Sequence, residues 1–389
     1  MGSDPPGSHT GLDGGVPGTL AELAHYFLWL GTFGFGGPVV HLALLEEHVV
    51  RRRGWLTTGE FLDLLGLTNL IPGPNSTEMA MAIGFRRAGY AGLAVAGVCF
   101  ILPAVCLTMA LGWLYVNYGY HPAVEGVLAG LGPAVIVVML QGTWRLGREA
   151  FTTPLAVAVA AVVLVLSLAG IGEITLLLGA AIVGAVTSKA RPGPAAALTA
   201  LAVIACPVIA LAATADPPAL TSVGAFFLRV GAVLYGGGYV LVALLEPLVS
   251  VEGWMTSQQL VHAVAAGQVT PGPVLTTATF VGYVLGGPAS AVVATIAIFL
   301  PAFVFTALLG PLTPRLRQAT AIRSALQLVS VASVALIAAV TLQLAVRVLT
   351  DAFSVVPLAA AVLVAARGGG SAWTLGAGMI GSAAVALLR

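Results

Sequence analysis

The sequence predicts an all-α polytopic membrane protein made of two homologous, inverted repeats of about 5–6 spans each, every repeat carrying a re-entrant helical hairpin at a Pro-Gly-Pro motif. Three observations lead there. Of the 389 residues 59% are hydrophobic and only 8% are charged, against about 25% charged in an ordinary soluble domain; the mean hydropathy is +1.02. A set of motifs recurs roughly two hundred positions apart. In each copy a PGP triplet interrupts an apolar stretch where a membrane helix would otherwise run on.

Residues 1–18, rich in Gly and Pro with Asp4 and Asp13, read as a flexible, solvated tail without the pattern of a signal peptide. The N-terminal repeat then covers 19–190, a connecting helix and loop 191–218, and the C-terminal repeat 219–389. A span needs about 20 apolar residues. Segments 91–116, 124–143, 194–213, 289–309 and 325–346 supply that length. Segments 155–168, 174–186, 355–366 and 373–388 are shorter and read as tilted or marginal spans; these nine are among roughly 10 to 13 crossings expected in all.

The repeat is traced by matching motifs. Gly37 corresponds to Gly237 and Glu46 to Glu246; Trp55 corresponds to Trp254, and Pro72, Gly73 and Pro74 to Pro271, Gly272 and Pro273. Further on, FILPA at 100–104 matches IFLPA at 298–302. Each half therefore reads as a Gly-rich first helix, a short helix, PGP, another short helix, and a long helix with a mid-span proline. Segments 61–71 and 78–85 are each about half a bilayer long. Joined by PGP they cannot continue as one straight helix, because Pro74 lacks an amide hydrogen and disfavours the α conformation before it. A re-entrant hairpin with its tip near the midplane is the economical geometry, and a surface loop is the alternative. Irregular backbone at that depth survives only where protein or a water-filled cavity shelters it.

The tips carry the polar groups. Asn75, Ser76 and Thr77 follow Pro74 as a helix-start signal, and a helix start aims unpaired N–H groups and about half a positive charge outward. Thr276 and Thr277 place hydroxyls at the matching point of the second half, and Asn69 and Gln268 place amides just before each PGP. Two such tips, with Pro72, Gly73, Pro74, Pro271, Gly272 and Pro273 as their backbone, would cradle a tetrahedral oxyanion, which offers acceptors on every face. No Lys or Arg lies within the hairpins, so several neutral donors would have to act together. With Asn75 as N-cap, Glu78 would close a capping box; alternatively it couples transport to protons, since a carboxylate beside an anion repels it unless protonated. Glu46 and Glu246 are a symmetric pair, either gate and coupling residues or interfacial acids. His41, His48 and His262 read as packing or interfacial residues, with a proton role as the alternative. Gly34, Gly36, Gly37 with Pro38, and Gly236, Gly237, Gly238 read as helix breaks and close-packing surfaces.

Charge gives the orientation. Arg51, Arg52, Arg53, Arg86 and Arg87 flank the first hairpin, whereas the matching flanks of the second carry Glu246 and Glu252 and no Lys or Arg. The positive-inside rule puts the first face in the cytoplasm and the amino terminus outside, with the halves inverted. The net charge of +1 gives no field for nucleic acid. Cys99, Cys106 and Cys206 lie in apolar segments without CxxC spacing, so no metal site or disulfide framework is expected. Neither glycine cluster fits a Walker motif, and neither HExxH nor GxSxG occurs, which weakens an intramembrane enzyme. Small-residue faces serve contacts within a chain or between copies, so a homodimer is compatible with the sequence.

The stretches FGFGGPVVHLALLEEHVVRRRGWL, LIPGPNSTEMAMAIGFRRAG and GQVTPGPVLTTATFVGY resemble the signature segments of the chromate ion transporter (CHR) family in its two-domain form, over essentially the whole chain. The resemblance implies a protein of the bacterial or archaeal inner (plasma) membrane that exports chromate, with competition by sulfate, and confers resistance; no cofactor is expected. Its motif residues correspond to Gly36, Gly37 and Pro38, to Pro72, Gly73 and Pro74, and to Pro271, Gly272 and Pro273 with Thr276 and Thr277. Two departures stand out: GGGY replaces FGGP in the second half, and Trp29 stands where the second half has Arg229. The residues themselves leave transport of sulfate or another oxyanion open.

Overall fold

Apolar runs in a bilayer can satisfy their backbone only internally, and so close into helices. The computed structural model describes residues 19–69, 71–188, 219–235, 238–316, 320–349 and 352–387, and every regular element among them is helical. The expected tail 1–18, the connecting segment 191–218 with its apolar run and Cys206, and Gly236 and Gly237 lie outside the described residues.

In the first repeat α1 (Leu20–Phe33) and α2 (Gly37–Leu45) lead through a π turn (Glu46–Arg52) to α3 (Thr58–Thr68), α4 (Asn75–Tyr118), α5 (Pro122–Leu128), α6 (Leu131–Ala150), α7 (Pro154–Leu168) and α8 (Glu173–Thr187). The second repeat follows the same order: α9 (Leu220–Val233), α10 (Val240–Leu245), α11 (Pro247–Ser250), α12 (Ser257–Val269), α13 (Thr277–Leu316), α14 (Thr320–Val348), α15 (Val355–Ala366) and α16 (Ser371–Leu387). Four helical stretches among the described residues, Asn75–Tyr118, Val124–Ala150, Val274–Leu308 and Ser324–Val348, are long and apolar enough to cross a membrane. The chain is a multi-pass membrane protein.

At 1.5 Å per residue a straight α4 would be about 66 Å long, twice the hydrocarbon thickness. It is not straight. Ala88 (φ −147°, ψ 29°) and Gly89 (φ 59°, ψ −148°) leave helical geometry, and a methyl group on Gly84 would run into the Gly92 carbonyl. Residues 75–87 therefore fold back along 90–118. In α13 the break falls at Gly286 and Gly287 (φ 72°, ψ −160°), with Gly282 set under the Ser290 carbonyl. Only glycine reaches the backbone conformation of Gly89 and Gly287 without strain. The expected short helix followed by a long one is thus present in both halves.

The first helix of each repeat differs from expectation. Instead of one Gly-rich helix there are two, separated in the first half at Gly34–Gly36 and in the second between Leu234 and Tyr239. Gly36 (φ 111°) and Gly37 (φ 75°) turn the chain, and nothing lies within 4 Å of where a Gly37 side chain would start. They break the helix, one half of the sequence reading, with Pro38 starting α2; of the two only Gly36 also packs closely, under Val40 (2.7 Å). Gly34, under the His41 ring (2.9 Å to Cδ2), and Gly238, under Val274 (2.8 Å), are further close approaches.

Packing repeats the duplication. Gly31 of α1 lies under the Phe100 carbonyl, and its counterpart Gly231 of α9 under the Ile298 carbonyl, so helix backbones touch where side chains are absent. The long helices α4 and α13 cross at the seam between repeats, where Gly97 admits the Phe303 ring. The outer helices are exchanged: α14 packs along α7 and α8, and α6 along α15 and α16.

A capping box starts the short helix that leads to each PGP loop, ahead of the stretches long and apolar enough to cross a membrane. Thr57 pairs with Glu60 ahead of α3, and Thr256 with Gln259 ahead of α12. The Thr57 amide donates to the Glu60 carboxylate (2.8 Å) and Arg86 adds a second donor (2.9 Å). Together they hold the Glu60 carboxyl below its ordinary value of 4.5.

Two outcomes follow from this packing. Gly31→Val forces α1 off α4 and is expected to cost about 1–3 kcal/mol, as overpacking does, read as a lower midpoint in thermal unfolding of the detergent-solubilised protein. The stabilisation from ionised Glu60 is present above the ordinary carboxylate range and is lost as pH falls through the lowered value. Glu60→Gln should therefore flatten the acid limb of a melting-temperature profile while leaving the profile above neutrality parallel to that of the parent.

Candidate functional site

Each PGP loop has to place backbone donors that no helix can use, and both loops solve this against the opposite repeat. The Gly73 amide donates to the carbonyl of Leu234 (2.7 Å), and the Gly272 amide to the carbonyl of Gly34 (3.1 Å). Gly34 and Leu234 occupy matching positions, where the first helix of each repeat stops. Next to them the same exchange recurs through side chains. A Gly73 methyl would sit 3.4 Å from Ala302, and a Gly272 methyl 3.0 Å from Ala104. Ala104 and Ala302 directly follow the mid-span prolines Pro103 and Pro301. Both loops thus lie in the seam, each on the other repeat's helix break and long helix.

The polar contents of the two tips differ. At the first, Pro74 takes the N-cap position without a side-chain cap, and Asn75 is the first helical residue. This corrects the expected Asn75 cap: the Asn75 amide instead donates to Asn69 Oδ1 across the tip (2.7 Å), tying the two legs together. The expected capping box of Glu78 is also absent. Glu78 lies one position too far into the helix, is fully buried, and neither carboxylate oxygen has a hydrogen-bond partner among the described residues. Its carboxyl group rests against Gly73, where any side chain would collide with it. Ser76 and Thr77 are buried beside it, and the Thr77 hydroxyl is likewise without a partner.

At the second tip a short 3₁₀ turn (Val274–Thr276) precedes α13. Thr276 and Thr277, both buried, donate their hydroxyls to the carbonyls of Pro273 (2.9 Å) and Val274 (2.8 Å). Their protons are engaged locally, so they face a ligand only after rotating. Gln268 just precedes this tip, as Asn69 does the first.

The sequence reading missed Tyr235 and did not place His41 at the second tip. Tyr235, at the second repeat's helix break, donates its hydroxyl to the Asn69 carbonyl; its counterpart Phe35 is exposed. His41 is fully buried, with Nε2 2.8 Å from the Gly34 carbonyl that also receives Gly272. Tyr235 was findable as the hydroxyl that breaks the otherwise apolar match with Phe35. His48 and His262 pack as expected: His48 lies against the Trp29 ring (4.8 Å), and His262 bonds the Tyr115 hydroxyl (3.1 Å).

Glu46 and Glu246, equivalent in sequence, stand in unlike surroundings. Glu46 is half-exposed and paired with Arg51 (3.2 Å). Glu246 is buried, paired with Arg347 (3.2 Å), and accepts from the Ser250 hydroxyl (2.6 Å). The arginines flanking the first hairpin gather on acids and rings: Arg53 and Arg87 on Glu22 (3.4 and 3.8 Å) and both over Trp55 (4.9 Å each). Among the described residues no cluster of His, Cys, Asp and Glu could hold a metal ion.

Comparison with known proteins bears on what such a seam is for. The family model described as "Chromate transporter" matches residues 21–185 and again 221–386, once for each repeat. The chain is 32% identical over 338 residues to the "Chromate transport protein" of Cupriavidus metallidurans, covering 86% of this chain and 84% of that one. It is 31% identical to the "Probable chromate transport protein" of Synechococcus elongatus (75% and 76% covered) and 30% identical to the "Chromate transport protein" of Pseudomonas aeruginosa (85% and 82% covered). No solved structure matches it. A family model that fits the chain twice, in register with the duplicated PGP loops, leaves one assignment: this protein belongs to the chromate transporter family.

Proposed function

We propose that the protein exports chromate across the inner membrane and so confers chromate resistance, holding the dianion between its two PGP tips. In this reading residues 19–190 and 219–389 are inverted repeats joined by 191–218, and each PGP loop is the tip of a re-entrant hairpin. Rocking of one repeat against the other exposes the tips alternately to each side. The observation that carries it is the reciprocal docking of Gly73 on Leu234 and Gly272 on Gly34. A ligand bound beside these contacts touches both repeats at once, and relative motion of the repeats changes its surroundings.

The chemistry suits a dianion held by neutral donors. The anion-binding set comprises Asn69, Pro72, Gly73, Pro74, Asn75, Ser76 and Thr77 at the first tip and Gln268, Pro271, Gly272, Pro273, Thr276 and Thr277 at the second. Unpartnered Thr77 supplies a ready donor. Glu78 is the coupling residue of the first tip: ionised it repels the anion, and protonated it does not, so a proton arriving or leaving shifts the balance between holding and release. Glu246, buried on Arg347, and Glu46, on Arg51, are the outer candidates for gating. An inside-negative potential adds an outward drive of about 2.3 kcal/mol per charge per 100 mV. By the positive-inside rule the arginine cluster around the first hairpin faces the cytoplasm. Sulfate has the same charge and tetrahedral shape, and neutral donors discriminate such ions weakly.

Proteoliposomes loaded with labelled chromate provide the test, with sulfate, molybdate and phosphate as competitors. Chromate flux that exceeds sulfate flux supports the reading; sulfate flux alone reassigns the substrate, and no flux of either discards it. In the same assay Thr77→Val, and Thr276→Val combined with Thr277→Val, should each lower flux about tenfold or more, as loss of hydrogen bonds to a charged group does, with membrane insertion intact. Parental rates in both variants would remove the tips from the binding site.

A further inference from the structure

The Gly34 carbonyl at the second tip accepts two donors, the Gly272 amide (3.1 Å) and His41 Nε2 (2.8 Å). A carbonyl oxygen can only accept, so Nε2 carries a hydrogen. His41 Nδ1 is then the open position of a fully buried ring, and it has no partner among the described residues. The ring stands edge-on to Phe100 (5.3 Å, 88°). The carbonyl of that same Phe100 lies 3.6 Å from where a Gly272 side chain would begin. His41 is thereby wedged between the second PGP loop and the long helix that the loop touches. The matching residue in the other repeat is Leu241, buried and apolar, so packing alone does not call for an imidazole here. Buried polar atoms without partners are uncommon, and each asks what completes it.

On α1, Tyr26 donates to the Leu44 carbonyl; along α2 and the π turn, His48 bonds the same carbonyl, and Glu46 and Glu47 pair with Arg51 and Arg52. On α4 Glu78 lies against Gly73 with both carboxylate oxygens unpartnered among the described residues, Arg86 and Arg87 pair with Glu60 and Glu22, Cys99 and Cys106 are free thiols, and Tyr90, Tyr115 and Tyr118 pack against other rings; from the second repeat there is Tyr235, on Asn69. None of these bonds to His41 among the described residues.

We infer that His41 is the cationic residue of the anion site, taking a proton on Nδ1 as the oxyanion binds at the second PGP loop. The inference rests on the reading that these loops hold an oxyanion. The balance is simple: one proton passes from water to Nδ1, no covalent bond to the anion forms, and the proton leaves when the anion does. A site with neither Lys nor Arg in its hairpins thus acquires one positive charge when it is filled.

The test is calorimetric titration of the purified full chain in nanodiscs with chromate and with sulfate, in two buffers of different ionisation enthalpy. The number of protons taken up per anion comes from the difference between buffers. His41→Gln should lower that number by about one and weaken binding about tenfold or more at acidic pH, the loss expected for a charge-assisted donor. His41→Leu, the residue of the other repeat, is the second variant and should behave alike. Parental proton uptake and affinity in both variants overturn the inference and leave the oxyanion reading standing. If the parent binds neither ion, that reading fails and this one falls with it. Should both variants misfold, nitrogen NMR of the ¹⁵N-histidine-labelled parent decides. A buried imidazole that becomes imidazolium on adding sulfate supports the assignment, and an unchanged ring refutes it.

Discussion

The arrangement depends on where two backbone amides go. A Pro-Gly-Pro triplet contains one N–H group between two residues that have none, and that group cannot join a helix ladder. Buried without a partner it would be costly. In this protein each such amide is satisfied by the carbonyl at the end of the other repeat's first helix. The breaks in the first helices and the breaks at PGP therefore need one another: one frees an acceptor, the other supplies a donor. Because the exchange runs both ways, neither repeat has a complete backbone at its tip without its sibling.

Around this shared backbone the side chains have diverged. Glu78 faces Thr277 across the duplication, Tyr235 faces Phe35, and His41 faces Leu241. In each pair one copy is ionisable or hydroxylic and the other is apolar or smaller. The two tips consequently contribute unlike chemistry to a common seam: an unpartnered carboxyl beside Gly73 at one, and an imidazole on the Gly34 carbonyl at the other. On the proposal that the tips hold an oxyanion, a symmetric ion would meet an asymmetric setting, and loading and release would follow different terms.

Much of the helical plan was legible because it rests on local rules. Proline and glycine mark the PGP breaks wherever they occur, apolar length marks the long helices, and the matching motifs mark the repeat. The short segments 155–168, 174–186 and 355–366 correspond closely to α7, α8 and α15. Other features were equally local and overlooked. Thr57 and Glu60, like Thr256 and Gln259, stand at capping-box spacing, whereas the box was sought at Asn75 and Glu78, where Pro74 already holds the cap position. The sequence leaves Gly36 and Gly37 as both breaks and packing surfaces, since composition cannot separate a glycine needed for its positive φ from one needed for its small size. The docking of Gly73 on Leu234 lies beyond any local rule: it joins residues from different repeats and exists only once both are assembled.

The exchange of outer helices bears on how the molecule is made. Helices α7 and α8 leave the ribosome well before α14, on which they pack, and α6 precedes α15 and α16 by a longer interval. At synthesis rates of about 5–20 residues per second, a lag of about 150–240 residues lasts roughly 8–50 s. For that time the early helices sit in lipid with their eventual contact faces uncovered, so biogenesis requires either a chaperoning translocon or provisional neighbours that later give way.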